Sequence, residues 1–115
     1  MKFMCNVIVD NEIAHRLSDA DWARIGKQSM DYDRALMDRG VFIAAEALVG
    51  REAARTVRVR HGVAAVTDGP FAESKEVIAG FILIDVPDID AAIEVARNIP
   101  MATVGAVEVR PVMVF

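Results

Sequence analysis

Apolar residues recur along this chain with two periods. Residues 2–9 alternate, with Phe3, Cys5, Val7 and Val9 on one side and Met4, Asn6 and Ile8 on the other. That is the period of a strand, and because both sides are largely apolar the strand belongs in the middle of a sheet. Residues 10–17 read as a loop. Ser18 followed by Asp21 has the spacing of a capping box, with Asp in place of the usual Glu. The helix it opens runs to residue 39, carries Trp22, Ile25, Ser29, Tyr32 and Leu36 on one stripe, and stops at Gly40.

Residues 41–49 alternate again: Val41, Ile43, Ala45 and Ala47 against Phe42, Ala44, Glu46 and Leu48, with Glu46 a lone charge in an apolar row. After a loop over 50–55, residues 56–60 and 63–67 pair as a hairpin about His61-Gly62. Arg58 and Arg60 alternate with Val57 and Val59, so the hairpin turns one face to water and is an appendage at an edge. Asp68-Gly69-Pro70 then makes a tight turn, since Gly accepts a positive φ and Pro pushes its neighbour out of the helical region. Phe71 needs cover, and Glu73, Lys75 and Glu76 follow on a charged loop. It leads into the most apolar run of the chain, residues 77–86, which reads as a central strand buried on both faces.

Pro87-Asp88 opens a second helix with Asp88 as N-cap and Ile89, Ala92, Ile93, Ala96 and Ile99 as its buried stripe. Asn98 and Pro100 end it, and residues 101–105 form a loop. The final strand spans 106–114, with Val107, Val109 and Met113 on one face and Glu108, Arg110, Val112 and Val114 on the other. Pro111 has no N–H to give to a neighbour, which places this strand at an edge.

Without the hairpin, the order strand, helix, strand, strand, helix, strand is the split βαβ pattern of a ferredoxin-like α+β sheet with both helices on one side. Alternation leaves Asn6, Glu46, Glu108 and Arg110 on the other, mostly apolar face. With 115 residues, 54% of them hydrophobic and 6% aromatic, two short helices cannot enclose so much apolar surface. Pairing two copies face to face gives a homodimer in the form of an α+β barrel, and its interior has the profile of a small-molecule pocket. The net charge of −4 is spread through the chain. This argues against nucleic acid and membrane as partners, since both demand concentrated basic surface. One cysteine, Cys5, allows no internal disulfide. The opening apolar stretch is too short for a signal peptide and is broken by Asn6 and Asp10, so the reading is a cytoplasmic protein.

Several of these stretches also carry a family resemblance. Thr67-Asp68-Gly69-Pro70-Phe71-Ala72-Glu73-Ser74-Lys75-Glu76, followed by Gly80-Phe81, resembles the signature of the YCII-related proteins called the DGPF-domain family. The opening Met1-Lys2-Phe3-Met4, the step from Gly40-Val41 to Glu46-Ala47-Leu48, Thr56-Val57-Arg58-Val59-Arg60 and the closing Gly105-Ala106-Val107-Glu108-Val109-Arg110-Pro111-Val112 fall in the family's order, so the match covers one domain over the whole chain. The resemblance implies a ferredoxin-like fold in a dimeric α+β barrel. It also implies genes often lying beside those for extracytoplasmic-function sigma factors, and for some relatives a histidine-aspartate pair with the histidine on the first helix. Residues 19–39 hold no histidine. The two present, His15 and His61, fall before the helix and at the hairpin turn, so that pair is not carried over.

The candidate chemistry is cofactor-independent acid-base catalysis, with no phosphate loop, nucleotide fingerprint or zinc spacing in the chain. In that reading Asp68 takes a proton, Arg110 stabilises an anion, and Glu108 or Glu46 orients the substrate, while Glu73, Lys75 and Asn6 contribute binding contacts. Plainer readings stand beside it: Asp68 accepting hydrogen bonds in its own turn, Glu73 and Lys75 solvated, Arg110 paired with a carboxylate to fix subunit register, and Cys5 a packed strand thiol. The competing function is a non-catalytic interaction or regulatory module whose hairpin recruits a protein such as a sigma factor.

Overall fold

The computed structural model describes residues 1–69 and 75–115. Pro70, Phe71, Ala72, Glu73 and Ser74 lie outside the described residues, and with them the expectations for Phe71 and Glu73. Strand β1 (Lys2–Asp10) alternates as its sequence does, burying Phe3, Cys5, Val7 and Val9 and leaving Met4, Asn6 and Ile8 half-buried. Three more strands, β2 (Phe42–Ala47), β5 (Glu76–Asp85) and β6 (Ala106–Pro111), join it in an antiparallel sheet of order β2-β5-β1-β6. The two most apolar strands take the two central places, and β6, with Pro111, takes an edge. Between β2 and β5 the chain forms β3 (Arg55–Arg60) and β4 (Val63–Asp68), which among the described residues pair only with each other.

Helices α2 (Asp19–Asp38) and α3 (Ile89–Arg97) cover one face of the larger sheet. The cap expected at Ser18 forms: its hydroxyl accepts from Asp21 N–H at 3.1 Å, and the Asp21 carboxylate accepts from Ser18 N–H at 3.0 Å. Those bonds, with Arg24 nearby, hold the Asp21 carboxyl below its usual range. Asp88 caps α3, accepting from Ala91 N–H at 2.9 Å. Ile25 and Leu36 of α2 meet Ala92, Val95 and Ala96 of α3 over Phe3, Cys5, Ile82 and Ile84, and the Tyr32 hydroxyl fastens the two helices by donating to the Val95 carbonyl at 2.7 Å.

Several expectations are corrected. Residues 10–17 are not a loop. Asp10 accepts from Glu12 and Ile13 N–H and caps a short helix, α1 (Asn11–Arg16). In α3 the buried residues are Ala92, Val95 and Ala96, continued by Ile99 just past its end, while Ile89 and Ile93 are exposed; the buried side lies against Ile25 and Leu36 of α2 and the sheet. A bulge between Phe42 and Ala44 turns Phe42 to the helix side, away from Ala44 and Glu46. Strand β5 is buried on its helix side only, Phe81 and Leu83 being half-exposed. Residues 113–115 leave the sheet after Val112 N–H bonds Lys2 O at 2.9 Å.

The hairpin turns at His61 and Gly62, both at positive φ (52° and 76°), which is the primed turn that suits strand twist. Its register pairs Val57 with Val66 and Val59 with Ala64, so these four share one face, opposite Thr56, Arg58, Arg60, Val63, Ala65 and Thr67. Among the described residues most positions on both faces are exposed, although one face was expected to be covered. Among the described residues the hairpin packs extensively on no other element. The chain is accordingly flat, 45 × 43 × 18 Å, with a radius of gyration of 15.8 Å against about 13 Å for a compact domain of this length. It exposes 8075 Å², roughly 1,900 Å² more than the ~6,200 Å² of a compact monomer of its mass.

Candidate functional site

The sheet face opposite the helices gathers four of the expected residues. Residues paired across neighbouring strands share a face, and the register runs Glu46 to Phe81, Phe81 to Asn6 and Asn6 to Glu108, one row across all four strands. The next row is Ala44, Leu83, Met4 and Arg110. Asn6 Nδ2 donates to Glu108 Oε1 at 3.2 Å, and Arg110 Nε stands 4.0 Å from the same oxygen. Glu108 is therefore oriented from two sides while Arg110 remains largely exposed. Phe81, Leu83, Met4 and Ile8, all half-buried, supply the apolar floor around them.

Asp68 and Lys75 are not brought to this group. Asp68 ends β4, and Arg55 Nε meets its carboxylate at 3.0 Å on the valine side of the hairpin. The Asp68 side chain is 91% exposed, so it is not sunk in an apolar mouth. Gly69 N–H to Ala54 O and Thr56 Oγ1 to Gly69 O, both 2.8 Å, lock the hairpin base beside it. The role of Arg55 went unrecognised in the sequence, yet a two-residue loop at His61-Gly62 fixes the pairing, and counting outward from it sets Arg55 opposite Asp68. Lys75 lies where β5 begins, its carbonyl taking Asn11 N–H. There Asp10 faces Glu76, four residues and about 13 Å along the strand from Asn6. Glu73 is outside the described residues. His15, expected in a loop, is exposed on α1.

Cys5 is fully buried on the helix side of β1, away from the polar row. Burial pushes its thiol from an ordinary 9.0 up to about 11, so at neutral pH it is protonated and a poor nucleophile. The folded state holds this proton more tightly than the unfolded chain. Stability contributed by the neutral thiol is therefore intact below pH 9 and lost as pH rises to about 11, by about 2–3 kcal/mol. Denaturant titrations at pH 8 and pH 11 are expected to show a smaller alkaline loss in Cys5→Ala than in the parent. An equal loss in both would remove the thiol as its source.

Among the described residues no helix is long and apolar enough to cross a membrane, and no cluster of His, Cys, Asp and Glu has the geometry of a metal site. The whole chain, residues 1–115, matches the YCII-related domain. It is also similar to an uncharacterised protein of Rhizobium meliloti, 33% identical over 108 residues, which is 92% of this chain and 87% of that protein.

Proposed function

This chain belongs to the YCII-related domain family, and from that premise we propose that it binds or converts a small molecule in a cleft formed when two copies appose their open sheet faces. The order β2-β5-β1-β6, with α2 and α3 on one side, supports a ferredoxin-like reading. Two such sheets face to face make the dimeric barrel. The observation that carries the functional reading is the row Glu46, Asn6 and Glu108, with Arg110 beside it, on a face otherwise made of Phe81, Leu83, Met4 and Ile8. Covering that face withdraws three charges from water, which is costly unless each finds a partner.

A small amphipathic ligand answers that need. Its apolar body lies on the aromatic and aliphatic floor, and its carboxylate or carbonyl oxygen meets the Arg110 guanidinium. Glu108, steadied by Asn6, accepts a proton from the ligand without any cofactor, and Glu46 orients the far end. The role given to Asp68 is then a structural one, closing the hairpin base through Arg55. The alternative, a non-catalytic module that recruits a protein through the hairpin, draws on the exposed valines of that element.

Native mass spectrometry of the purified protein after incubation with a mixture of small carboxylic and keto acids tests the reading. The expected result is a dimer retaining one class of added mass, with retention at least tenfold lower in Arg110→Met. A dimer that retains nothing, or an unchanged profile in Arg110→Met, would overturn the ligand cleft. A monomer at micromolar concentration would overturn the barrel.

A further inference from the structure

We infer that the β3-β4 hairpin is an intersubunit arm whose valine face, Val57, Val59, Ala64 and Val66, packs on a second copy of this chain; this rests on the dimer reading above. Two-stranded hairpins are marginal alone in water and are held by packing one face on something else. Among the described residues, the bonds at its base, Arg55 to Asp68 and Gly69 N–H to Ala54 O, close the hairpin on itself rather than fasten it to the larger sheet. Among the described residues it packs extensively on no other element, and Val57, Val59 and Val66 are 59%, 57% and 64% exposed. The turn matches the twist of its strands and the register is regular, so the element is formed but its apolar side lacks a floor among the described residues.

The occupant is argued from area. The surplus of roughly 1,900 Å² per chain over a compact monomer exceeds the ~800 Å² per partner of a standard interface and matches an obligate homodimer. Two-fold symmetry lets each copy supply an arm and receive one, burying both surfaces in a single self-complementary contact. The other face of the ribbon, where Arg58, Arg60, Thr56 and Thr67 stand beside Val63 and Ala65, is the more polar of the two and suits the solvent side of such an arm, and Arg55 and Asp68 at its base place a polar rim beside the valines.

Sedimentation equilibrium of the parent, of the double variant Val57→Glu/Val66→Glu, and of Thr67→Glu on the opposite face decides the matter. The double variant is expected to weaken dimerisation at least 100-fold with circular dichroism unchanged, and Thr67→Glu less than fivefold. A parent dimer with undiminished affinity in the double variant overturns the arm while leaving the dimer reading intact; a monomeric parent overturns both. Should the double variant fail to fold, hydrogen exchange of the parent above and below its dissociation midpoint replaces it. Amides of residues 57–66 are expected to gain at least tenfold protection in the dimer. Equal exchange in both states would mean that the valine face stays open, or serves a different protein, and would overturn the inference.

Discussion

Replacing Phe3 by Ala is expected to lower the free energy of unfolding by about 3–5 kcal/mol, the range for emptying a fully buried aromatic site. Phe3 is fully buried near the start of β1, between Ile84 of β5 and Pro111 of β6, and its ring belongs to the cluster that Leu36, Ala92 and Val95 close from the helices. Its neighbours are fixed to sheet strands or to a helix pair tied by the Tyr32 to Val95 bond, so they have little freedom to collapse into the space. Domains of this size have about 5–15 kcal/mol in total, and the variant is therefore expected to populate the unfolded state visibly at 37 °C. Urea titration at fixed protein concentration measures the loss. Met30→Ala, at an exposed position on α2, sets the baseline at about 0.5 kcal/mol or less. A loss below about 1.5 kcal/mol for Phe3→Ala would mean that the core relaxes far more than this packing allows.

Features that depend on local chemistry were legible in the sequence. Ser18 and Asp21 announce a helix start, Asp88 another, and Pro111 an edge, because each acts on backbone groups within a few residues. The alternation that set Asn6, Glu108 and Arg110 on one face survives in the register, and Glu46 joins them although the bulge nearby turns Phe42 away. What was not legible depends on distant contacts. The buried side of α3 lies against Ile25 and Leu36 of α2 and the sheet, and Tyr32, 63 residues away, bonds the Val95 carbonyl there. Asp68 meets Arg55, thirteen residues back across the hairpin; the start of α1 is instead a local miss, since Asp10 caps Glu12 and Ile13 two and three residues on. The uncovered valines were the least expected, since a pattern of apolar and charged alternation says that one side will be buried but not in which molecule.

Gly80→Ala is expected to cost about 3 kcal/mol, at the upper end for adding one methyl group to a packed site, and to disturb the polar row as well as the fold. Gly80 faces Val7 on one neighbour and Ala47 on the other. A Cβ built there would stand 2.6 Å from the Glu46 carbonyl oxygen and 3.2 Å from the Ala47 Cα. Both obstacles are backbone, so no rotamer change relieves them, and β2 must move away from β5. That movement pulls on the bond from Leu48 N–H to Ala79 O, 2.8 Å long, and carries Glu46 with it. Hydrogen exchange separates this local opening from a general loss of stability: amides of β2 and Leu48 are expected to lose at least tenfold more protection than those of β6. Uniform loss across the sheet, or a cost below about 1 kcal/mol, would show that β2 yields without strain and that the close approach at Gly80 does not fix the position of Glu46.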